Sequence, residues 1–248
     1  MSDWLFDLGN TRLKCARLEA DGQPGGVAAA AHDGAAFAEG WQSVLPQSIR
    51  TAWIASVGPA ALRAQLAAAL SARGARVQYA ATLPSFAGVT VAYADPGRLG
   101  VDRLLAMAAA RARDPAPALV VGVGTAITID LVDGDGVHRG GRIAPSPALM
   151  REALLRRAPH LPGAAGDYAE FGDDTVPALH SGCTGAALGL VERSVRQAQA
   201  LLGAAPRLWL HGGGAVDLLD HLDDANHVPA LVLEGLALWA RQAGRAAG

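Results

Sequence analysis

Cysteine is nearly absent: the 248 residues contain only Cys15 and Cys183. They lie far apart without a C-x-x-C spacing, so neither a zinc site nor a redox motif is indicated, and both read as small buried residues of a reduced protein. An excess of charge of either sign is also missing. Lys and Arg number 21 against 23 Asp and Glu, and the net charge of −2 leaves no basic footprint for nucleic acid. No apolar run is long enough to cross a membrane and no charged-then-apolar leader pattern opens the chain, so the expectation is a soluble, cytoplasmic protein without a membrane partner. Neither the Walker pattern G-x-x-x-x-G-K-S/T nor the dinucleotide pattern G-x-G-x-x-G occurs. G-x-S-x-G and a Ser-His-Asp order are lacking, and His138, His180 and His211 have no metal-ligand spacing, which leaves hydrolytic nucleophilic chemistry unsupported.

What the chain does have is apolar material, 51% hydrophobic against 18% charged, enough for one large domain or two of ordinary size. Aromatics are only 5%, so the core is expected to be built from aliphatic and small side chains. The apolar patterning predicts strands ending at Trp4-Leu5-Phe6 and covering 13–18 and 26–31, then a short helix over 35–44. A buried strand at 51–56 is followed by an alanine-rich helix from Pro59 to about Arg73, strands at 77–81 and 89–93, and a helix to about Arg113. Asp114-Pro115-Ala116-Pro117 is the clearest punctuation, and it sets two expected domains, 1–114 and 115–248. The second half restarts like the first, with strands at 118–121, 127–132 and 137–143. Ser146-Pro147 opens a helix to about Arg157, 159–177 reads as a surface loop, and a long helix covers 181–202. A strand at 207–210, helices at 215–222 and 231–243 and the tight turn between them complete an α/β pattern with an antiparallel start to each half.

The run Asp7-Leu8-Gly9-Asn10-Thr11 places a carboxylate at a strand end and a tight turn directly after it. Turn N–H groups, the Thr11 hydroxyl and the Lys14 ammonium suit a polyanion, and an acidic residue beside a phosphate loop makes sense with a metal ion between them, so Asp7 reads as a Mg²⁺ ligand. An ordinary hairpin turn with polar residues is the other reading. A similar turn heads the second half at Gly122-Val123-Gly124-Thr125, and a third, His211-Gly212-Gly213-Gly214, joins a strand to a helix. Three such turns suit a nucleotide held between domains. Asp102, at the start of a helix, is placed to act as a general base on a hydroxyl attacking a γ-phosphate, and Arg103 to bind a carboxylate; equally, Asp102 complements the helix dipole and Arg103 is solvated.

With these residues in view the chain resembles the type III pantothenate kinases, of the actin-like acetate and sugar kinase superfamily. The resemblance rests on D-L-G-N-T-R-L-K (7–14), Y-A-D-P-G-R-L-G-V-D-R (93–103), G-T-A-I-T-I-D (124–130), H-R-G-G-R-I-A-P (138–145), Leu161-Pro162, D-T-V-P-A-L-H-S-G (174–182) and V-P-A-L-V-L-E-G-L (228–236). It implies an actin-like ATPase fold of two ribonuclease-H-like domains, each a mixed sheet flanked by helices. It also implies a homodimer and ATP-dependent phosphorylation of pantothenate, the first step of coenzyme A synthesis. A kinase for another small hydroxy acid and a regulatory accessory protein on the same fold are the competing expectations. By the same resemblance Asp102 is the catalytic base, and Asp7, Gly9, Asn10, Thr11 and Lys14 lie at the phosphate and Mg²⁺ end. Gly124, Thr125, Gly212, Gly213 and Gly214 then contact the nucleotide, while Tyr93, Gly100, Val101, Arg103 and Thr175 contact pantothenate, Thr175 from the partner subunit. The chain departs from the family pattern at Gly122, where Asp is usual, at Asp95 and Asp174 (Asn), at Ser146 (Gly) and at His211 in place of Thr before the glycines. Relatives with a carboxylate at position 122 often need potassium or ammonium, so Gly122 puts that requirement in doubt. The small residues Gly182, Gly185, Ala186 and Gly189 share one helix face, as a close dimer contact would need.

Overall fold

The opening apolar run forms β1 (Ser2–Leu8), whose Leu5, Phe6 and Leu8 are fully buried, so the strand is covered on both faces. In the computed structural model, which describes residues 2–164 and 166–246, β1 is the centre of a five-stranded sheet. On one side lie β2 (Arg12–Arg17) and β3 (Ala28–Ala31), antiparallel; on the other lie β4 (Ile49–Ser56) and β5 (Arg76–Tyr79), parallel. Helix α1 (Ala60–Ser71) makes the crossover from β4 to β5 and buries Leu62, Leu66 and Leu70, one residue per turn, against Phe6, Leu8 and Ile54. A two-stranded hairpin, β6 (Ser85–Phe86) and β7 (Val89–Thr90), precedes α2 (Val101–Arg113).

The second unit repeats this plan. β8 (Ala118–Val123) is central, with β9 (Ala126–Val132) and β10 (His138–Pro145) antiparallel on one side. After α3 (Pro147–Arg157) and α4 (Thr175–Leu202), the parallel strand β11 (Arg207–His211) pairs with β8, and beyond α5 (Val216–Leu219) the parallel β12 (Ala225–His227) closes the sheet. The orders β3-β2-β1-β4-β5 and β10-β9-β8-β11-β12 are the same path drawn twice.

The last helix, α6 (Leu231–Ala246), does not belong to the second unit as sequence order would place it. The compact units are Met1–Asp114 with Ala230–Gly248, and Pro115–Pro229. The buried face of α6, including Leu233, Leu236 and Ala240, packs on α2 and β1. Its Glu234 accepts two hydrogen bonds from Arg113, at 2.6 and 2.7 Å, and Trp239 lies against Phe86 with ring centroids 5.1 Å apart.

Elsewhere local chemistry overrides the sequence pattern. The expected helix over 35–44 is reduced to a single 3₁₀ turn, Trp41–Val44. Asp33 turns the chain by accepting the N–H groups of Ala35 and Ala36, and Gly34 and Gly40 adopt φ of +92° and +72°. The expected strand at 89–93 keeps two residues, Val89 and Thr90, which pair with Phe86 and Ser85 across a turn where Ala87 and Gly88 take positive φ. Helix α4 begins six residues before position 181, at Thr175, capped by the Asp174 carboxylate, with Pro177 in the first turn where its missing N–H costs nothing. The short strand β12 was not expected; Asn226 holds it by donating its amide to the Leu208 carbonyl at 3.1 Å.

Close packing of α6 on α2 depends on Gly235, where a Cβ would lie 2.1 Å from the Leu105 carbonyl oxygen. Gly235→Ala is expected to cost about 1–3 kcal/mol in denaturant unfolding, whereas Gly244→Ala on the same helix, with open space around it, is neutral or slightly stabilising. Equal effects at the two positions would show that α6 is not seated this way.

Candidate active site

The C-terminal end of β1 carries the first group of site residues. Antiparallel pairing sets Lys14 opposite Asp7, and parallel pairing sets Ala55 on the other side of it. The Gly9 N–H donates to the Arg12 carbonyl at 3.0 Å and closes a two-residue turn that leaves Asn10 and Thr11 exposed. Nothing in the fold demands glycine at position 9, since a Cβ there would be in ordinary contact, 3.5 Å from the Arg12 oxygen. Burial, and next the charge of Asp102, raise the Asp7 carboxyl to about 7 against the smaller opposing pull of Lys14. The first turn of α2 therefore brings Asp102 close enough to Asp7 for the two charges to repel.

Gly100 makes that placement possible: as N-cap of α2 it would, with a Cβ, meet the Asp102 Oδ1 at 2.5 Å. Asp102 Oδ1 accepts the Arg103 N–H at 2.9 Å. Arg103 is not solvated; it is 7% exposed, and its Nη1 donates to the Tyr93 hydroxyl at 3.3 Å. Asp7, Lys14 and Asp102 thus form one cluster and Arg103 and Tyr93 a pair, while the Val101 side chain is buried in the core. Asp95 caps the turn before α2 by accepting the Gly97 N–H, so its carboxylate does what an Asn side chain would do there.

One residue of this end was not singled out from sequence. His32, buried at the end of β3, accepts the Gly34 N–H at Nδ1 (3.2 Å), which leaves Nε2–H to donate to the Gly9 carbonyl at 3.1 Å. Its own N–H donates to the Thr11 carbonyl. Both ends of the turn are thereby fixed. Only the pairing of β2 with β3 places His32 there, so no local sequence signal marks it.

In the second unit the two glycine turns come together. The Gly214 N–H donates to the Val123 carbonyl at 3.0 Å. Gly212, at φ +92°, lies so close that a Cβ would be 2.3 Å from the same oxygen. Gly124 N–H donates to the Ala126 carbonyl, closing the other turn, with Thr125 half-buried beside it and Gly213 exposed. Thr175 is exposed at the start of α4, whereas Ser146 caps α3 by accepting the Leu149 N–H. The Asp133 carboxylate is held at the far end of β9 by Arg139 and by the N–H groups of Asp135 and Val137. It does not fold back to Gly122.

Two halves with one sheet path, each with a glycine-bearing turn at the end of its central strand, define the actin-like ATPase and sugar-kinase fold. The activator of the 2-hydroxyisocaproyl-CoA dehydratase from Clostridium difficile, with bound ADPNP, shares it at a TM-score of 0.53 and 10% identity, over 100% of this chain and 97% of that one. A protein from Campylobacter jejuni described as a Baf family transcriptional activator gives a TM-score of 0.64 at 20% identity, over 98% of this chain and 99% of that one. These likenesses establish the fold. The model of the type III pantothenate kinase family matches residues 4–197, and the type III pantothenate kinase of Stenotrophomonas maltophilia (strain K279a) is 52% identical over 243 residues, 97% of this chain and 98% of the relative. The chain belongs to the type III pantothenate kinase family.

The raised Asp7 carboxyl has a consequence for stability. Between pH 4 and 7 the unfolded chain loses this proton while the folded one keeps it, so the group's contribution falls across that window and is gone above about pH 7. Asp7→Asn, in chelator and without nucleotide, is expected to match the parent Tm near pH 4 and to exceed it increasingly up to pH 8. A pH-independent difference would contradict the burial and repulsion at this site.

Proposed function

We propose that this protein transfers the γ-phosphoryl group of ATP to the hydroxyl of pantothenate, giving 4'-phosphopantothenate for coenzyme A synthesis. The observation that carries the reading is the pairing of Asp102 with the buried Arg103 at the start of α2, beside Asp7. A buried guanidinium with a tyrosine hydroxyl as neighbour suits the acceptor's carboxylate, and the adjoining Asp102 carboxylate takes the proton of the attacking hydroxyl. Gly100, Val101 and Tyr93 complete the acceptor pocket, the buried Val101 through its backbone. Thr175 would come from the partner subunit. The turn Gly9 to Thr11 with Lys14, and the turns at Gly124-Thr125 and Gly212-Gly213, bind the phosphates and nucleoside.

Two carboxylates that repel, with a single lysine in partial compensation, suit a divalent cation, and Mg²⁺ is commonly held by one or two carboxylates together with substrate phosphates. Among the described residues no group of three or more His, Cys, Asp or Glu could hold a metal by itself, so Asp7 would hold Mg²⁺ jointly with the nucleotide. The ion would neutralise charge on the transferring phosphoryl group.

The reading includes a cytoplasmic homodimer that acts on small molecules, without nucleic acid or membrane partners; among the described residues no helix is long and apolar enough to cross a membrane. Support for the dimer comes from α4, whose Ser181, Thr184, Ala187, Leu188 and Val191 face the core, while Gly182, Gly185 and Gly189 each have open space where a Cβ would project. An apolar groove of about 690 Å³ between α3 and α4 adjoins this face.

ADP release in a coupled assay with and without pantothenate tests the activity directly. Asp102→Asn should cut kcat by about 10²–10⁴ with the fold intact, and Arg103→Ala should chiefly raise the KM for pantothenate. Near-normal turnover of the Asn variant would remove Asp102 from the role of base. Dependence on a monovalent cation is expected to be weak, because no carboxylate occupies position 122 and Asp133 is engaged elsewhere. Titration of potassium into a Tris background should change the rate little; a steep, saturating requirement would show that a cation is bound by other groups.

A further inference from the structure

The repeated sheet path gives each unit an internal reference for the other. In the first unit, Asp7 pairs with Lys14 on the antiparallel side and Ala55 on the parallel side. In the second, Gly122 pairs with Thr128 and His211 in the same two senses. In the first unit the central strand contributes the functional side chain and its parallel neighbour a small one. The second reverses this: the central strand contributes glycine and the neighbouring strand an imidazole. The space is shared out accordingly, since a Cβ on Gly122 would lie 2.8 Å from His211 Nε2, 2.9 Å from its Cε1 and 2.9 Å from Thr128 Oγ1. His211 is also the residue from which the chain enters the Gly212–Gly214 turn, and that turn is locked to Val123, the residue after Gly122.

We propose that His211 is a nucleotide-binding residue of the second unit, its imidazole donating to a phosphate oxygen, and that position 122 is glycine because the ring takes the space of any side chain there. The proposal rests on the reading of these turns as the nucleotide site. It adds a nitrogen donor to a site where Gly122, Val123, Gly124 and the three glycines contribute only backbone, and Thr125 and Thr128 contribute hydroxyls. An N–H donor at a phosphate strengthens binding by charge assistance without needing a metal or a second lysine.

The test uses the full-length protein, with ADP binding by calorimetry and steady-state KM for MgATP and for pantothenate, on His211→Ala, His211→Gln, Gly122→Ala and the Gly122→Ala/His211→Ala pair. Loss of a hydrogen bond to a charged group predicts that His211→Ala weakens ADP binding and raises the MgATP KM by about tenfold or more, with the pantothenate KM nearly unchanged. Gln, which keeps an N–H donor at similar reach, should restore most of the affinity. Gly122→Ala should weaken ADP binding by pushing the ring aside, and should cost distinctly less once His211 is Ala, where only the Thr128 hydroxyl still crowds the new Cβ. Unchanged ADP affinity in His211→Ala, or an equal effect of Gly122→Ala in both backgrounds, would overturn the proposal. Failure of Gln to restore binding, with Tm preserved, would overturn the donor role. A parent protein that binds ADP with these dependences yet shows no pantothenate-dependent turnover would sink the kinase reading and leave this one standing; a parent that binds no ADP would sink both.

Discussion

The site depends on how closely the turn after the fourth strand of each unit lies on the end of its central strand. In the first unit the N–H groups of Val57 and Gly58 both donate to the Leu8 carbonyl, and a Cβ on Gly58 would be 2.6 Å from the Gly9 oxygen. In the second, Gly214 N–H donates to the Val123 carbonyl and Gly212 sits closer still. A side chain at any of these glycines would wedge the parallel pair apart at its end. The backbone contact therefore fixes where the residues one step back, Asp7 and Gly122, project, and so fixes where charge or its absence lies in each half.

Two carboxylates are brought together at the end of β1 at a cost to stability. Asp7 is recessed and faces a second carboxylate, and Lys14 offsets only part of that, which is why its proton is held to about pH 7. A protein selected for stability alone would not keep two acidic groups together in a recessed place. Such a pair, held together at a cost to stability, marks a functional rather than a structural cluster. The buried Arg103 belongs to the same logic. A guanidinium at 7% exposure is costly to desolvate unless it is hydrogen-bonded, and the Tyr93 hydroxyl accepts from it.

Much of this was legible in the sequence, and what was not had specific causes. Strands β1, β4, β8, β9 and β11 were visible as apolar runs close to turn residues, and β2 as a short run following the Gly9-Asn10-Thr11 turn. Asp7 and Asp102 stood out as carboxylates at element ends. Their proximity did not, because it depends on where packing sets the first turn of α2 and on a glycine at position 100 that makes room. The failed helix over 35–44 shows Asx-turn chemistry at Asp33 and two positive-φ glycines outweighing a run of good helix formers. The placement of α6 could not be read locally at all. Its amphipathic face announces a partner without naming it, and only packing decides that α2 and β1 provide the cover.

The two halves show how a duplicated frame diverges in function without diverging in path. Register equivalence sets Asp7 against Gly122, Lys14 against Thr128 and Ala55 against His211. In both triads one member is small, and at Gly122 the His211 ring and the Thr128 hydroxyl take up the room it leaves. Because strand ends are only one residue wide, large polar groups at both the central and the neighbouring position would collide, as the 2.8 Å approach of His211 to a Cβ on Gly122 makes plain. A carboxylate gained at 122 must therefore displace the imidazole, and losing the imidazole opens the space again. Positions 122 and 211 therefore draw on one space, and a side chain added at the first must be accommodated by a shift at the second.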